Sequence, residues 1–323
     1  MTRPVRWGIV GTGKIAKVFA EGIGRIDEGV VVAVGSRSLE SAQTFADAYG
    51  VTRAYASYEE LCHDDTVDAV YVATPHPMHF DNASAALRAG KHVLVEKAFT
   101  MTAREASDLV DLARAKGLFM MEAMWTRFLP HVVKIRELLE EGALGRLVVF
   151  EADHGKWFAE DPHSRLFAPE LGGSALLDLG IYPISFASMV LGTPTKRMAM
   201  VEPSFTGVDG QCSMIFGYDN GAHAVLTCTS SARSATRACI TGTDARIEID
   251  GDFYAPNGFT LIPRVGEPTR YDFPVEGRGL HFQAQEVARC LEAGLLESLI
   301  MPLDETVAIM ETMEFVLAQN PGL

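Results

Sequence analysis

Three residues of this 323-residue chain, Lys97, Asp178 and Tyr182, have the types and settings for acid–base and charge chemistry. Lys97 follows the apolar run 92–96, and an ammonium at the carboxyl end of a strand can stand beside a reacting hydroxyl and stabilise an alkoxide. Asp178 and Tyr182 lie at i and i+4 in Leu176-Leu177-Asp178-Leu179-Gly180-Ile181-Tyr182-Pro183, an apolar run opened by Gly172-Gly173. That spacing predicts one shared helix face, with Ser185 extending the polar stripe. A buried carboxylate and phenol need partners or a wet cleft. Alone, the pair reads as a core tyrosine and a structural acceptor; beside a nucleotide site, the cleft reading is the stronger. A phenol titrates near about 10, so a base near neutrality requires a neighbouring cation. Pro183 removes the N–H that would bond Leu179 and is expected to kink the helix.

The nucleotide site is read from the amino-terminal forty residues. Residues 5–10 form an apolar run feeding Gly11-Thr12-Gly13-Lys14-Ile15-Ala16, a turn in which glycines allow close approach to a pyrophosphate. Residues 14–24 then read as a helix whose free N–H groups face the phosphates. A second strand, 30–34, ends in Gly35-Ser36-Arg37-Ser38, where an NAD site places a carboxylate for the ribose 2′-hydroxyl. Ser36, Arg37 and Ser38 instead suit a 2′-phosphate, which points to NADP(H). A solvated loop arginine is the ordinary alternative for Arg37, and dual cofactor use stays open.

Other candidates stand at expected strand ends. Thr74, Pro75 and His79 read as a loop against the nicotinamide, and Glu96 precedes Lys97. The histidines of this loop lack a third ligand at useful spacing, so no metal is expected. Trp125 and Arg127 fall at the expected domain junction, Trp125 as a wall for a ring-shaped substrate and Arg127 toward cofactor phosphate or carboxamide; hinge packing is as good a reading of Trp125. His154, Lys156, Trp157, Phe158, His163 and Arg165 precede the Gly172-Gly173 turn and are candidates to line a substrate pocket, Trp157 and Phe158 by stacking on a ring; an ordinary exposed loop explains the charged members equally well.

The elements that must carry these residues alternate through the first part: strands at 69–73, 92–96 and 118–122, helices at 39–49, 57–62, 81–89 and 102–115. This predicts an α/β Rossmann domain, a doubly wound parallel sheet, over residues 1–124. After a helix at 130–141, alternating runs at 147–155, 197–202, 212–218, 223–230, 236–241 and 245–250 predict a large, mostly antiparallel open sheet. With closing helices at 282–293 and 303–317, residues 125–323 read as an α+β domain for substrate binding and dimerisation.

A formal charge of −14 opposes a polyanionic partner, so no nucleic acid is expected. Five scattered cysteines without a CxxC pair suggest neither a disulfide framework nor zinc and suit a reducing cytoplasm. The chain enters its first strand almost at once, with no leader expected, and no stretch is expected to approach the roughly 18 apolar residues of a membrane span.

Gly11-Thr12-Gly13, Thr74-Pro75 with His79, Glu96-Lys97, and Gly172-Gly173 leading to Asp178 and Tyr182 together resemble the glucose-fructose oxidoreductase and inositol dehydrogenase (Gfo/Idh/MocA) family over essentially the whole chain. Residues 122–128 and 177–182 look most similar to its dihydrodiol dehydrogenase and NADP-dependent pentose dehydrogenase branch. The resemblance implies catalytic roles for Lys97 and Tyr182, with Asp178 holding a second hydroxyl or orienting Lys97. It implies hydride transfer between nicotinamide C4 and a secondary or anomeric alcohol of a sugar or cyclic diol, and a homodimer or higher oligomer formed through the open sheet. A reductase of a keto sugar, anhydro sugar or sugar nucleotide is the alternative, and a non-catalytic nucleotide sensor a weaker one. Ala98 stands where the family has proline after Glu-Lys.

Overall fold

The computed structural model describes residues 3–320. The chain divides into two compact units: the first runs to Trp125 and takes in Gly277–Val307, and the second comprises Thr126–Glu276 and the residues from Ala308. A single cut at residue 124 does not provide for this return of the chain to the first unit. The returning segment is held by the first unit's own elements, with Met120 N–H donating to Leu296 O at 3.1 Å and the bare Cα of Gly22 leaving room for the His281 backbone.

In the first unit, β1 (Val5–Val10), β2 (Gly29–Gly35), β3 (Arg53–Tyr55), β4 (Ala69–Val72), β5 (His92–Glu96) and β6 (Met120–Ala123) form a parallel sheet in the order β3-β2-β1-β4-β5-β6. Parallel strands need crossovers, supplied by α1 (Lys14–Ile23), α2 (Leu39–Tyr49), α3 (Tyr58–Cys62), α4 (His79–Arg88) and α5 (Ala103–Lys116). Because every strand points one way, Gly11, Ser36, Ala73, Lys97 and Met124 all follow strand ends at the same edge of the sheet. Trp7, Phe19 and Tyr71 form the centre of the core, Phe19 stacked on Tyr71 at 3.9 Å and edge-on to Trp7 at 5.3 Å. Burial of Phe19 alone is worth about 2 kcal/mol. Gly50, Gly90 and Gly117 close helices with positive φ, as their placement predicts. The three-residue β3 is the strand the sequence pattern does not reveal.

The second unit begins with α6 (Pro130–Glu140) and is built on an eight-stranded sheet: β7 (Leu147–Gly155), β8 (Lys196–Pro203), β9 (Asp209–Gly217), β10 (His223–Thr229), β11 (Ala238–Gly242), β12 (Ala245–Ile249), β13 (Gly258–Pro263) and β14 (Thr269–Asp272). Its order is β14-β13-β12-β11-β7-β10-β9-β8, antiparallel except where β7 lies parallel to β10. One face is covered by a π-helical turn, Leu176–Gly180, that runs into α7 (Ile181–Leu191). The segment Pro169–Leu191 corrects one expectation. Its 23 residues, at mean hydropathy 1.5, are long and apolar enough to cross a membrane, yet 78% of its 18-residue window is buried within the fold. A helix that is mostly apolar all round is one packed in a core, and here even its polar members Asp178, Tyr182 and Ser185 are buried. The chain closes with α8 (His281–Glu292) and α9 (Leu303–Leu317).

Candidate active site

Gly11 has φ +107°, and a Cβ there would stand 2.9 Å from Ala73 O, so the turn after β1 admits only glycine without strain. Gly13 is the N-cap of α1, with nothing within 4 Å of an added Cβ, and the first turn of that helix holds no acid. Thr12, Gly13, Lys14 and Ile15 thus surround an open helix N-terminus suited to a phosphate. At the end of β2, Ser36 is buried and Arg37 exposed, while Ser38 caps α2 by accepting the Ser41 N–H at 3.4 Å. No carboxylate occupies this turn.

The ends of β4 and β5 are tied together by His79. Its Nε2 lies 2.8 Å from Thr74 O, and its Nδ1 2.9 Å from Ala98 O and 3.3 Å from Phe99 O. Burial holds the ring below its usual pKa against the pull of these carbonyls, and the charge of Lys97 adds to the lowering. His79 is therefore committed to backbone, and Asn82 Nδ2 donates to Thr74 Oγ1 beside Pro75. Tyr71 donates its hydroxyl to Glu96 Oε1, and Glu96 Oε2 accepts the Lys97 N–H at 3.3 Å. Lys97 is half-buried, joined to Ala98 by a cis peptide. Trp125 is buried in the first unit with the Arg278 guanidinium 5.5 Å from its ring centre.

Arg127 belongs to the second unit, where it is buried and donates to Ser185, to Oγ at 3.1 Å and to the carbonyl at 2.7 Å. There Tyr182, 6% exposed, lies with its ring 5.3 Å from His154 and 4.7 Å from Tyr254. His154 stacks on Tyr254 at 4.5 Å. Lys156 donates to Tyr254 Oη at 2.6 Å, and Thr126 Oγ1 to the Tyr254 carbonyl at 2.7 Å. Asp178 takes a two-pronged bond from Arg165, 3.1 Å on each oxygen, so its charge is matched inside the unit. Phe158, half-buried, is anchored by its N–H on Ser230 O at 3.1 Å.

Pro183 acts differently from a simple kink. The carbonyl to which it denies the usual i+4 donor, Leu179 O, lies 3.0 Å from His154 Nδ1, so a ring from β7 serves the helix where its wide turn passes into α7. Sequence reasoning missed Tyr254, which follows a turn with Asp252 at φ +59° and has no spacing to mark it. It also missed Asp209, on β9. Among the described residues, no group of three or more His, Cys, Asp or Glu side chains is placed to hold a metal.

A glycine turn at an open helix end and a helix-backed sheet carrying a buried phenol define a protein of dinucleotide-binding fold with a second α+β unit. The family model described as "Oxidoreductase family, NAD-binding Rossmann fold" matches residues 5–124, and that of the GFO/IDH/MocA C-terminal domain residues 132–248. The chain is 36% identical to trans-1,2-dihydrobenzene-1,2-diol dehydrogenase of Macaca fuscata fuscata over 97% of its length and 96% of that protein. It is 34% identical to D-xylose 1-dehydrogenase (NADP(+)) of Hypocrea jecorina, over 98% of its length and 92% of that protein. In fold it resembles the aldose-aldose oxidoreductase of Caulobacter crescentus solved with glycerol, at a TM-score of 0.89 and 23% identity over 98% of both chains. The chain belongs to the GFO/IDH/MocA oxidoreductase family.

Proposed function

We propose that the protein is an NADP(H)-dependent oxidoreductase of sugars or cyclic diols, in which Tyr182 is the acid–base group and Lys97 the assisting cation. The observation that carries the reading is identity of more than a third, over nearly the full length, to a dihydrodiol dehydrogenase. The NADP(+)-named xylose enzyme supports the same cofactor, as does the turn after β2, where Ser36 and exposed Arg37 replace an acid.

The residues present fit the dinucleotide. Gly11, Thr12, Gly13, Lys14 and Ile15 hold its pyrophosphate and Ser36, Arg37 and Ser38 its 2′-phosphate. Thr74, Pro75, Glu96, Lys97 and Trp125 line the rest, with His79 fixing the loop; Arg127, buried and bonded to Ser185, serves to brace the second unit rather than the cofactor. When bound, the cofactor accepts or returns a hydride at nicotinamide C4. Tyr182 takes the proton of the substrate hydroxyl during oxidation and returns it during reduction. Lys97 stabilises the alkoxide by its charge. Asp178, oriented by Arg165, accepts a hydrogen bond from a second substrate hydroxyl, and Trp125 and Phe158 pack against the carbon skeleton.

The open face of the second sheet supports a homodimer or higher oligomer. Met198 on β8, Ile215 on β9 and Val225 on β10 are directly opposed, all exposed, and Met200 is 72% exposed beside them. Five free cysteines, four of them buried, suit the cytoplasm.

A panel of pentoses, hexoses, anhydro sugars and cyclic trans-diols, followed by NADPH absorbance, tests the substrate class. Tyr182→Phe is expected to keep NADPH binding, read by cofactor fluorescence, and to lose most turnover. Near-normal turnover removes Tyr182 from the mechanism.

A further inference from the structure

The helical turn that carries Asp178 opens with Ser174, whose one hydroxyl can cap only part of it. Ala175 already has helical angles (φ −67°, ψ −34°) and offers no side-chain acceptor, so the N–H groups that Ser174 does not reach must be satisfied from elsewhere. Ser174 Oγ accepts the Leu177 N–H at 2.9 Å. The other acceptor comes from the sheet: Asp209 Oδ2 accepts the Leu176 N–H at 2.6 Å, and the Ala175 N–H and Ser174 hydroxyl bond the same carboxyl group.

Asp209 opens β9 and is 3% exposed. Its place is set by pairing with Pro203 of β8, while Cys212 further along β9 lies opposite Cys228 of β10. Cys228 Sγ in turn lies 2.9 Å from where a Cβ on Gly180 would stand. The two strands therefore meet the turn at both ends, with a carboxyl at its start and a thiol at its finish. His154 from β7 holds the Leu179 carbonyl between them.

We propose that Asp209 is a positioning residue for the reaction: its carboxyl group sets the start of the π-helical turn and thereby the placement of Asp178 and Tyr182. The inference rests on the reading of Tyr182 as the acid–base group. A buried anion is costly, and burial pushes the Asp209 pKa up to about 6. An aliphatic residue would fill the space without that cost but would leave the Leu176 and Ala175 N–H groups without an acceptor. The positive end of the helix dipole adds a reason for an acid at this point. Wide helical turns recur at functional sites because they reset the phase of the side chains that follow, here including Tyr182.

The test uses Asp209→Ala and Asp209→Asn in the full chain, with Tyr182→Phe alongside, assayed well below each variant's unfolding transition. Asp209→Ala is expected to lower kcat by about ten- to a hundredfold, with the NADPH dissociation constant unchanged. Asn, which keeps one acceptor oxygen, is expected to lie between Ala and wild type. A wild-type kcat in folded Asp209→Ala, with Tyr182→Phe inactive, overturns the positioning role alone. Near-normal turnover of Tyr182→Phe overturns the reading beneath it as well. Should Asp209→Ala not fold, the Asn variant decides: an intermediate kcat with unchanged NADPH binding supports the role, and a wild-type kcat refutes it.

Discussion

Asp209 makes a stability prediction that is independent of turnover. In the folded chain burial raises its pKa from 3.8 to about 6, so the native state holds this proton to a higher pH than the unfolded chain does. The favourable contribution is fully present below the unfolded value and is lost as pH rises through the folded one. A shift of about two units corresponds to about 3 kcal/mol. Asp209→Asn removes the titration. The difference in unfolding free energy, variant minus wild type, should therefore grow by about 3 kcal/mol between about pH 3 and about pH 7 and be level above that. A constant offset from altered hydrogen bonds to Leu176 and Ala175 does not affect this rise. Urea titrations followed by circular dichroism at half-unit pH steps measure it. Parallel curves for the two proteins would refute the argument, since they would mean that Asp209 titrates alike folded and unfolded.

Three further outcomes are expected. Arg37→Ala should weaken NADPH about ten- to a hundredfold while changing NADH little, by fluorescence titration of both; equal losses would reject 2′-phosphate recognition. His131, buried on α6 with Nε2 3.3 Å from Phe253 O, has its pKa pushed down by burial to about 4, so its stabilising contribution is present above 6.5 and lost as pH falls from 6.5 through about 4. Replacement by Phe should flatten the acid side of the stability profile by about 3 kcal/mol, and an unchanged acid limb would contradict this. Ile215→Lys should shift sedimentation toward the monomer; an unaltered oligomer would place the interface elsewhere.

The first sheet was legible because its chemistry is local. Glycines at a strand–helix turn, small residues on α1 and glycine caps follow backbone rules that act over a few residues. The order of strands then follows from the parallel crossover pattern. The elements that escaped are those with weak patterns of their own. β3 is three residues long, β13 is bounded by Gly258 and Pro263, and β14 is the charged edge strand Thr269–Asp272. The amphipathic pattern of α8 identified a helix but not the sheet it returns to. Lys97, Asp178 and Tyr182 were visible as polar residues at strand ends or in apolar runs. Their partners were not, because Asp209 reaches Leu176 across 33 residues and Lys156 reaches Tyr254 across 98. Such meetings are decided by sheet register, which no single segment contains. The loss at Pro183 could be read from one residue, whereas the ring that makes it good required the fold.

That exchange between Pro183 and His154 joins two distant stretches of the chain through one carbonyl. An ordinary amide at 183 would offer that oxygen a second donor for its second lone pair, and removing the imidazole would take away the bond that reaches it from β7. A change in the strand beneath is therefore felt at the helix that bears the phenol.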